Sequence, residues 1–600
     1  MIFYDMEVFK YDWLGVFIDM QTQQEHLIVN DPHQLTKLYN EHFNDIWCGF
    51  NNKHYDQYII KAILLGMNPK EVNDKIIIKH LNGWQISDAF NRMGMINYDC
   101  MPSDLISLKL LEGFRGANIK ETSVPFDIDR KLTEDEIKET FEYCRNDVHE
   151  TINIFMNNID QFNAIYGIIK AYPAMVSMKN IGDSEARITA KVLGCNYTER
   201  HDEFDYYVLP CVQVHKYKEV IDWFMECQRE ATELNLNDAS EAQKREWYKS
   251  KSFTIDVANV PHTFGFGGCH GASAVPIHVK GGLYHVDVNN YYPSECIAHD
   301  LVTRSASNDN YRQVYKTRKE LKEKQINAAT KEEAKEYKKA QLPYKKMLNA
   351  LSGAMKDKNN PAYDPRNNNI MCINGQLMLL DLIEHLEEIE EFNLIQSNTD
   401  GLIVQIPDTD EAFNQLDDIC YQWECRCSTD KCDIRLETDQ ISEIYQKDVN
   451  NYLWIDLDGG IERKGAYVKE LSTFDNDLPI INKALVDYMV KGVPVQDTIN
   501  NCDELVMFQK LVKLSSKYEY VEHNGIKYDN KCYRVFASLD AKDGKILKCR
   551  EGNNPAKFGN TPDKCFIENG DITNATCPMK LDKQYYIDLA LKRLSDFGIN

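Results

Sequence analysis

The stretch LYHVDVNNYYPS, residues 283–294, decides the fold. Its first half reads as an apolar strand and its second as a polar turn, which leaves Asp287 at the strand tip. A second stretch, LIQSNTDGLIVQI at 394–406, reads as two apolar strands around a polar turn that holds Asp400. Between them, KKMLNALSG at 345–353 sets Lys345, Asn349 and Gly353 at intervals of four, hence on one helix face. If the two strand regions are neighbours, the Asp287 and Asp400 carboxylates meet and a basic helix faces them. Paired carboxylates of this kind suit two divalent cations about 3.5–4 Å apart. Carboxylates completed by substrate phosphates are the ligand class Mg²⁺ favours, with Mn²⁺ as the alternative ion, and the expectation is two ions per site.

Around that pair, the Val288 carbonyl is a further metal ligand and Lys345 is placed to meet a triphosphate. Arg318 and Lys322, four apart on the preceding helix, add a second grip on phosphate. Gly353 leaves room for a flat base pair against the helix. Tyr292 is expected under the incoming sugar, where its ring excludes a 2′-hydroxyl. Taken singly each piece is ordinary, since a lone Asp at a strand end is usually a solvated turn residue. The order, spacing and context together carry the reading.

A second carboxylate set lies near the N-terminus. Asp5 and Glu7 are two apart in IFYDMEVF, so a strand points both to one face. Asp56 follows Asn52 at four, and Asp147 follows Tyr143 at four in the helical stretch EIKETFEYCRNDVHETINIF. Four carboxylates and a phenol suit a metal-dependent attack of water on a phosphodiester, with Tyr143 orienting the water. Lys120 and Lys131 are the lysines considered for a supporting role, and the sequence does not choose between them.

Bulk properties agree with a large multidomain protein. The 600 residues suggest three or four domains at about 150 residues each. No apolar run approaches the ~20 residues of a membrane span, the start MIFYDMEVFK has no signal-peptide pattern, and the 18 cysteines show no disulfide-framework spacing. A cytoplasmic protein, in a host cell if viral, is expected. The net charge of −24 hides one basic element: residues 312–346 carry twelve Lys or Arg against five Asp or Glu. Local fields, not net charge, decide whether a protein grips phosphate. Cys420, Cys425, Cys427 and Cys432 lack the paired spacing of a structural zinc site.

The motifs resemble those of the family B DNA polymerases. DVNNYYPS is similar to the first palm motif, KKMLNALSG to the fingers-helix motif and SNTDG to the third motif. YDMEV, NNKHYD and YCRND resemble the three motifs of the DnaQ-like 3′–5′ exonuclease domain. GFGGCHGA is similar to the glycine-rich link between exonuclease and palm, and ERKGAYV to the basic-Tyr motif that holds the primer.

The resemblance implies catalytic or metal roles for Asp287, Asp400, Asp5, Glu7, Asp56, Asp147 and Tyr143. It implies nucleotide contacts for Tyr292, Lys345 and Asn349, with Arg318 and Lys322 beside them. DNA contacts fall to Gly267, Gly268, Lys464, Tyr467 and Asn52. The chain departs from the family pattern at Asn398, where an Asp is usual, and at Ala350 and Ser352, where Ser and Tyr are usual. Sugar discrimination would then rest more on Tyr292.

The expected architecture is α/β and α+β multidomain, an RNase H-like exonuclease followed by a right-hand polymerase. The divisions are 1–165 exonuclease, 166–252 helical connection, 253–300 palm, 301–352 two-helix fingers, 353–470 palm again and 471–600 thumb. The glycine stretch at 263–272 reads as a flexible loop between domains, and NGQLMLLDLIEHLEEIEEF at 374–392 as an amphipathic helix with Leu377, Leu380, Ile383 and Leu386 on its apolar stripe. Implied partners are primer-template DNA, dNTPs and replication accessory proteins, with no membrane and a monomeric chain. Compact size suggests a bacteriophage replicase. The short intervals between the three motifs disfavour priming by protein. Two rivals stand beside this reading: a nuclease with an inactive palm, and a non-enzymatic DNA-binding replication factor.

Overall fold

The computed structural model describes residues 1–102, 104–119 and 121–599, and the counts that follow refer to those. Lys120 lies outside them. The chain is a mixed α/β protein built on two large sheets and two small ones. The first sheet has five strands in the order β3-β2-β1-β4-β5, namely β1 Ile2–Val8, β2 Trp13–Asp19, β3 Glu25–Val29, β4 Ile46–Gly49 and β5 Ile96–Asp99. β1 is the central strand, antiparallel to β2 and parallel to β4.

Both faces of β1 are covered. Tyr4, Met6 and Val8 pack with the helix α1, Asp56–Leu64. Phe3 packs in a core shared with Cys144, Val148 and Phe155 of a long helix, Glu134–Asn157. That long helix starts where it does because Thr133 and Glu136 form a capping box, which satisfies two otherwise orphaned N–H groups. Between it and α1 in the chain lies a seven-residue helix, Leu108–Phe114. These two are α2 (Leu108–Phe114) and α3 (Glu134–Asn157).

The second sheet has nine strands in the order β14-β13-β12-β9-β11-β10-β8-β7-β6. They are β6 Phe253–Val257, β7 Val260–Phe264, β8 His270–Ala272, β9 Ile277–Val288, β10 Asn393–Ser397, β11 Gly401–Gln405, β12 Leu436–Asp448, β13 Asn451–Asp456 and β14 Ile461–Lys464. The glycine stretch therefore does not link two domains as expected. It is the turn between β7 and β8 inside one sheet. Gly271 is required there, because a Cβ would sit 2.2 Å from the ring of His262, which is buried and bonded to Ser397.

Two long helices follow in the 301–352 region, α4 (Asn308–Ile326) and α5 (Lys331–Lys356), separated by Asn327–Thr330. α5 packs on the preceding helical region, where Pro343 meets Gly167 so closely that a Cβ at 167 would lie 2.5 Å from the ring. The next helix, α6 (Pro365–Leu386), is not the amphipathic element expected. It is buried on nearly every side. Several of its interior polar groups bond to a non-helical strap within the 166–252 region, itself expected to be mainly helical. Asn374 Oδ1 accepts from the Leu209 N–H at 2.7 Å, and Asp381 accepts from the Gln213 N–H at 2.7 Å and from Arg426 at 2.7 Å. Buried polar groups with partners are tolerated where unpaired ones are not. Residues 471–599 form further helices and two small sheets, one made of Lys510–Lys513, Cys532–Ala537 and Cys565–Ile567. Among the described residues no helix is long and apolar enough to cross a membrane.

Candidate nucleotidyl-transfer and phosphodiester-cleavage sites

Asp287 and Asp400 come together as the strand argument requires. β9 pairs antiparallel with β11 so that Asp287 lies opposite Gly401, and the Val288 N–H donates to the Asp400 carbonyl at 2.8 Å. On its other side β9 pairs with β12, which sets Glu437 opposite Asp287. Burial pushes the Asp287 carboxyl up to about 7, helped by the negative charges of Asp400, Glu437 and Asp439, with Lys322 pulling the other way. A carboxylate cluster of this kind favours a bound cation. Hard oxygen donors open to a cavity fit Mg²⁺ or Mn²⁺.

A cavity of about 280 Å³ joins this pair to the helices. Its walls include Asp287, Val288, Tyr292, Arg318, Lys345, Asn349 and Asp400. Lys345 and Asn349 are exposed on α5, and no atom lies within 4 Å of where a Cβ at Gly353 would be. The Lys345 ammonium is held below its ordinary pKa by burial and then by the neighbouring cations Arg318, Lys338, Lys346 and Lys322. That is a field waiting for an anion. Arg318 donates to Asn290, whose left-handed backbone (φ 53°) starts the helix carrying Tyr292. Lys322 stands just outside the cavity, paired with Glu437 at 2.8 Å. The Tyr292 ring stacks on Tyr291 at 5.7 Å and its hydroxyl is buried without a protein partner. Ser352 Oγ bonds to Asn368 Oδ1 at 3.0 Å, so at this departure from the family pattern the side chain is tied to α6.

Of the residues expected at DNA, Gly268 passes close to the Asp400 turn, 3.3 Å from Thr399 Oγ1 to a built Cβ, and Gly267 is exposed with open space. Lys464 is exposed at the end of β14. The Tyr467 hydroxyl donates to Asp596 at 3.1 Å and its ring lies under Arg593, which ties it to the C-terminal helix. Asn52 is fully buried and its amide donates to Asn97 Oδ1 at 2.9 Å and to the Tyr98 carbonyl at 3.1 Å. It ties the loop before α1 to β5 instead of facing a ligand.

The N-terminal site gathers Asp5 and Glu7 of β1 with Asp56 at the start of α1 and Asp147 of α3. Ligand atoms of Asp5, Glu7 and Cys144 lie within 4.8 Å of one another, a set able to hold a metal ion. Burial first, and then the charge of Asp147, pushes Asp5 up to about 7. Burial and then Asp5 raise Glu7 and Asp56 well above the usual carboxylate range. Asp147 is raised by burial against the pull of a lysine that sequence reasoning missed. This is Lys109 of α2, whose Nζ lies 2.5 Å from Asp147 and 3.0 Å from the fully buried Glu112, and 4.6 Å from the centre of the Tyr143 ring.

Among the described residues Lys109 is the lysine that meets Asp147. Lys131 is exposed in the loop before α3. A signal did exist: Lys109 and Glu112, three apart, are charges in the otherwise apolar LKLLEGF. Cys144 was missed too, and its thiol contacts Asp5 Oδ2 at 3.4 Å.

No protein-family model matches the chain, and no curated protein sequence matches it. Among solved structures, the family B DNA polymerase from the hyperthermophilic archaeon Pyrobaculum calidifontis aligns over 100% of this chain and 77% of that one, with 12% identity and a TM-score of 0.42. The functional reading rests on this chain's own side chains.

Proposed function

We propose that the chain is a template-directed DNA polymerase with a proofreading 3′–5′ exonuclease. The observation that supports it most is the single cavity in which Asp287 and Asp400 face Arg318, Lys345 and Asn349. Divalent ions held by Asp287 and Asp400 would supply activation of a 3′-hydroxyl and charge neutralisation at the leaving pyrophosphate. Arg318 and Lys345 bind the triphosphate and hold it in line, where preorganised cations stabilise charge that develops as the bond breaks. Tyr292 closes the floor under the sugar, and the open face at Gly353 receives the base pair.

In the N-terminal site Asp5, Glu7, Asp56 and Asp147 are the metal-binding set. Tyr143 and Lys109 stand beside Asp147, where a phenol orients water and an ammonium offsets phosphate charge. The partners of this reading are primer-template DNA and dNTPs.

The test is a gel assay with labelled primer-template, Mg²⁺ and dNTPs, using an Asp5→Ala/Glu7→Ala protein. Product growth is expected. A flat result would leave the nuclease with an inactive palm. Failure of the unmodified protein to shorten a labelled single strand in Mg²⁺ would remove the exonuclease.

A further inference from the structure

The C-terminal region reaches back across more than 400 residues of chain to the short helix that carries Lys109. Arg534, in the middle strand of the Lys510–Lys513/Cys532–Ala537/Cys565–Ile567 sheet, is fully buried. Its Nη2 donates to the carbonyls of Gly113 at 3.1 Å and Ala117 at 2.8 Å, at and just past the end of α2. Its Nη1 donates to the carbonyls of Glu568 (3.3 Å) and Gly570 (2.8 Å), and its Nε to Gln509 Oε1 at 3.1 Å. A planar guanidinium with donors in a fixed fork suits such a clamp, which a lysine's point charge does not. A cation also complements the carbonyl end of a helix.

The clamp is not alone. Gln509 and Asn476 donate to the Phe114 carbonyl at 3.0 and 2.9 Å. The Ile119 N–H bonds to the Asn569 carbonyl, and the Ile572 N–H to the Gly116 carbonyl, each at 2.8 Å. Gly113 packs so tightly on Leu511 that a Cβ would lie 2.7 Å away. The last turn of α2 is therefore held on one side by residues 476–572 and on the other by α3, where Arg115 pairs with Glu150 and Asn146 donates to Glu112 at 3.3 Å, while its first turn presents Lys109 to Asp147. One turn of rigid helix separates the two ends, so a shift at Gly113 moves Lys109.

We propose that Arg534 is a positioning residue for the N-terminal cleavage site, acting through α2 on the Lys109–Asp147 contact. The C-terminal region, by this account, is a working part of the exonuclease as well as of the polymerase. This rests on the exonuclease reading above. A misplacement of about 1 Å at a reacting group can cost up to ~100-fold in rate, so Arg534→Gln is expected to slow 3′ digestion by roughly ten- to a hundredfold in kcat. KM for the strand should stay within about twofold and primer extension should be unchanged, because uniform binding is not touched.

The discriminating measurement is a double-mutant cycle. In a Lys109→Met background, Arg534→Gln should add no further loss, because both changes act on one contact. Asn476→Ala, which removes one half-buried bond to the same helix end, should give a smaller loss in the same direction and keeps the test open should R534Q not fold. An R534Q protein that digests at the wild-type rate, or losses that add in the K109M background, would overturn the inference alone. A wild-type chain with no 3′ digestion would overturn the exonuclease reading and this inference with it.

Discussion

The two carboxylate sites solve the same electrostatic problem in different ways. In the N-terminal site the acids sit on a central strand and on the two helices that cover its faces, and the protein supplies its own counter-charge: Lys109 bonds to Asp147 and Glu112 inside the fold. In the second site Asp287 lies at a strand tip and Asp400 in the neighbouring turn, and both line an open cavity together with the cations Arg318 and Lys345. A closed site with an internal lysine suits cleavage of one strand end. An open site whose cations face a space suits a triphosphate that arrives and leaves.

The sharpest way to break this comparison is Asp400→Ala. It should lower extension by on the order of 10³-fold or more and leave 3′ digestion intact. Loss of both activities in the same gel assay would mean that the sites are not separate. Next is Lys109→Met, expected to slow digestion by ~10²-fold without slowing extension. Equal slowing of both would reduce Lys109 to a structural residue. Tyr292→Ala should weaken exclusion of ribonucleotides by about ten- to a hundredfold; unchanged discrimination in single-nucleotide insertion would place the sugar check elsewhere.

The smallest effect is on stability. Asp5 and Asp287 keep protons up to about 7 in the fold but have an ordinary value of 3.8 when unfolded. The folded chain binds more protons between those values, so stability falls as pH rises through that window. The Tm of metal-stripped protein should drop from about pH 5 to about pH 8, and Mg²⁺ should raise it more at the higher pH, because bound cations replace the lost protons. A flat Tm would show that the acids are not confined as described.

Much of this was legible in the chain. A strand of alternating residues puts Asp5 and Glu7 on one side, four-residue spacing puts Tyr143 with Asp147 and Lys345 with Asn349, and a polar turn between apolar strands exposes Asp400. These depend on local periodicity alone. The misreadings share a cause. GFGGCHGA looks flexible because glycine is permissive, yet Gly271 is there to clear His262. The 374–386 stretch looks amphipathic because Asn374 and Asp381 are polar, yet each accepts a backbone N–H from a residue some 165 positions earlier in the chain.

What the sequence determined by itself is the list of acids, their order and which of them share a face, because period-two and period-3.6 geometry is a property of neighbouring residues. What the tertiary structure decided is which lysine meets Asp147, that Asn52 and Tyr467 are held by protein groups, and that Arg534 grips α2. Those contacts join positions far apart in the chain. Only packing, which minimises unpaired buried charge over the whole molecule, selects among the residues that could make them.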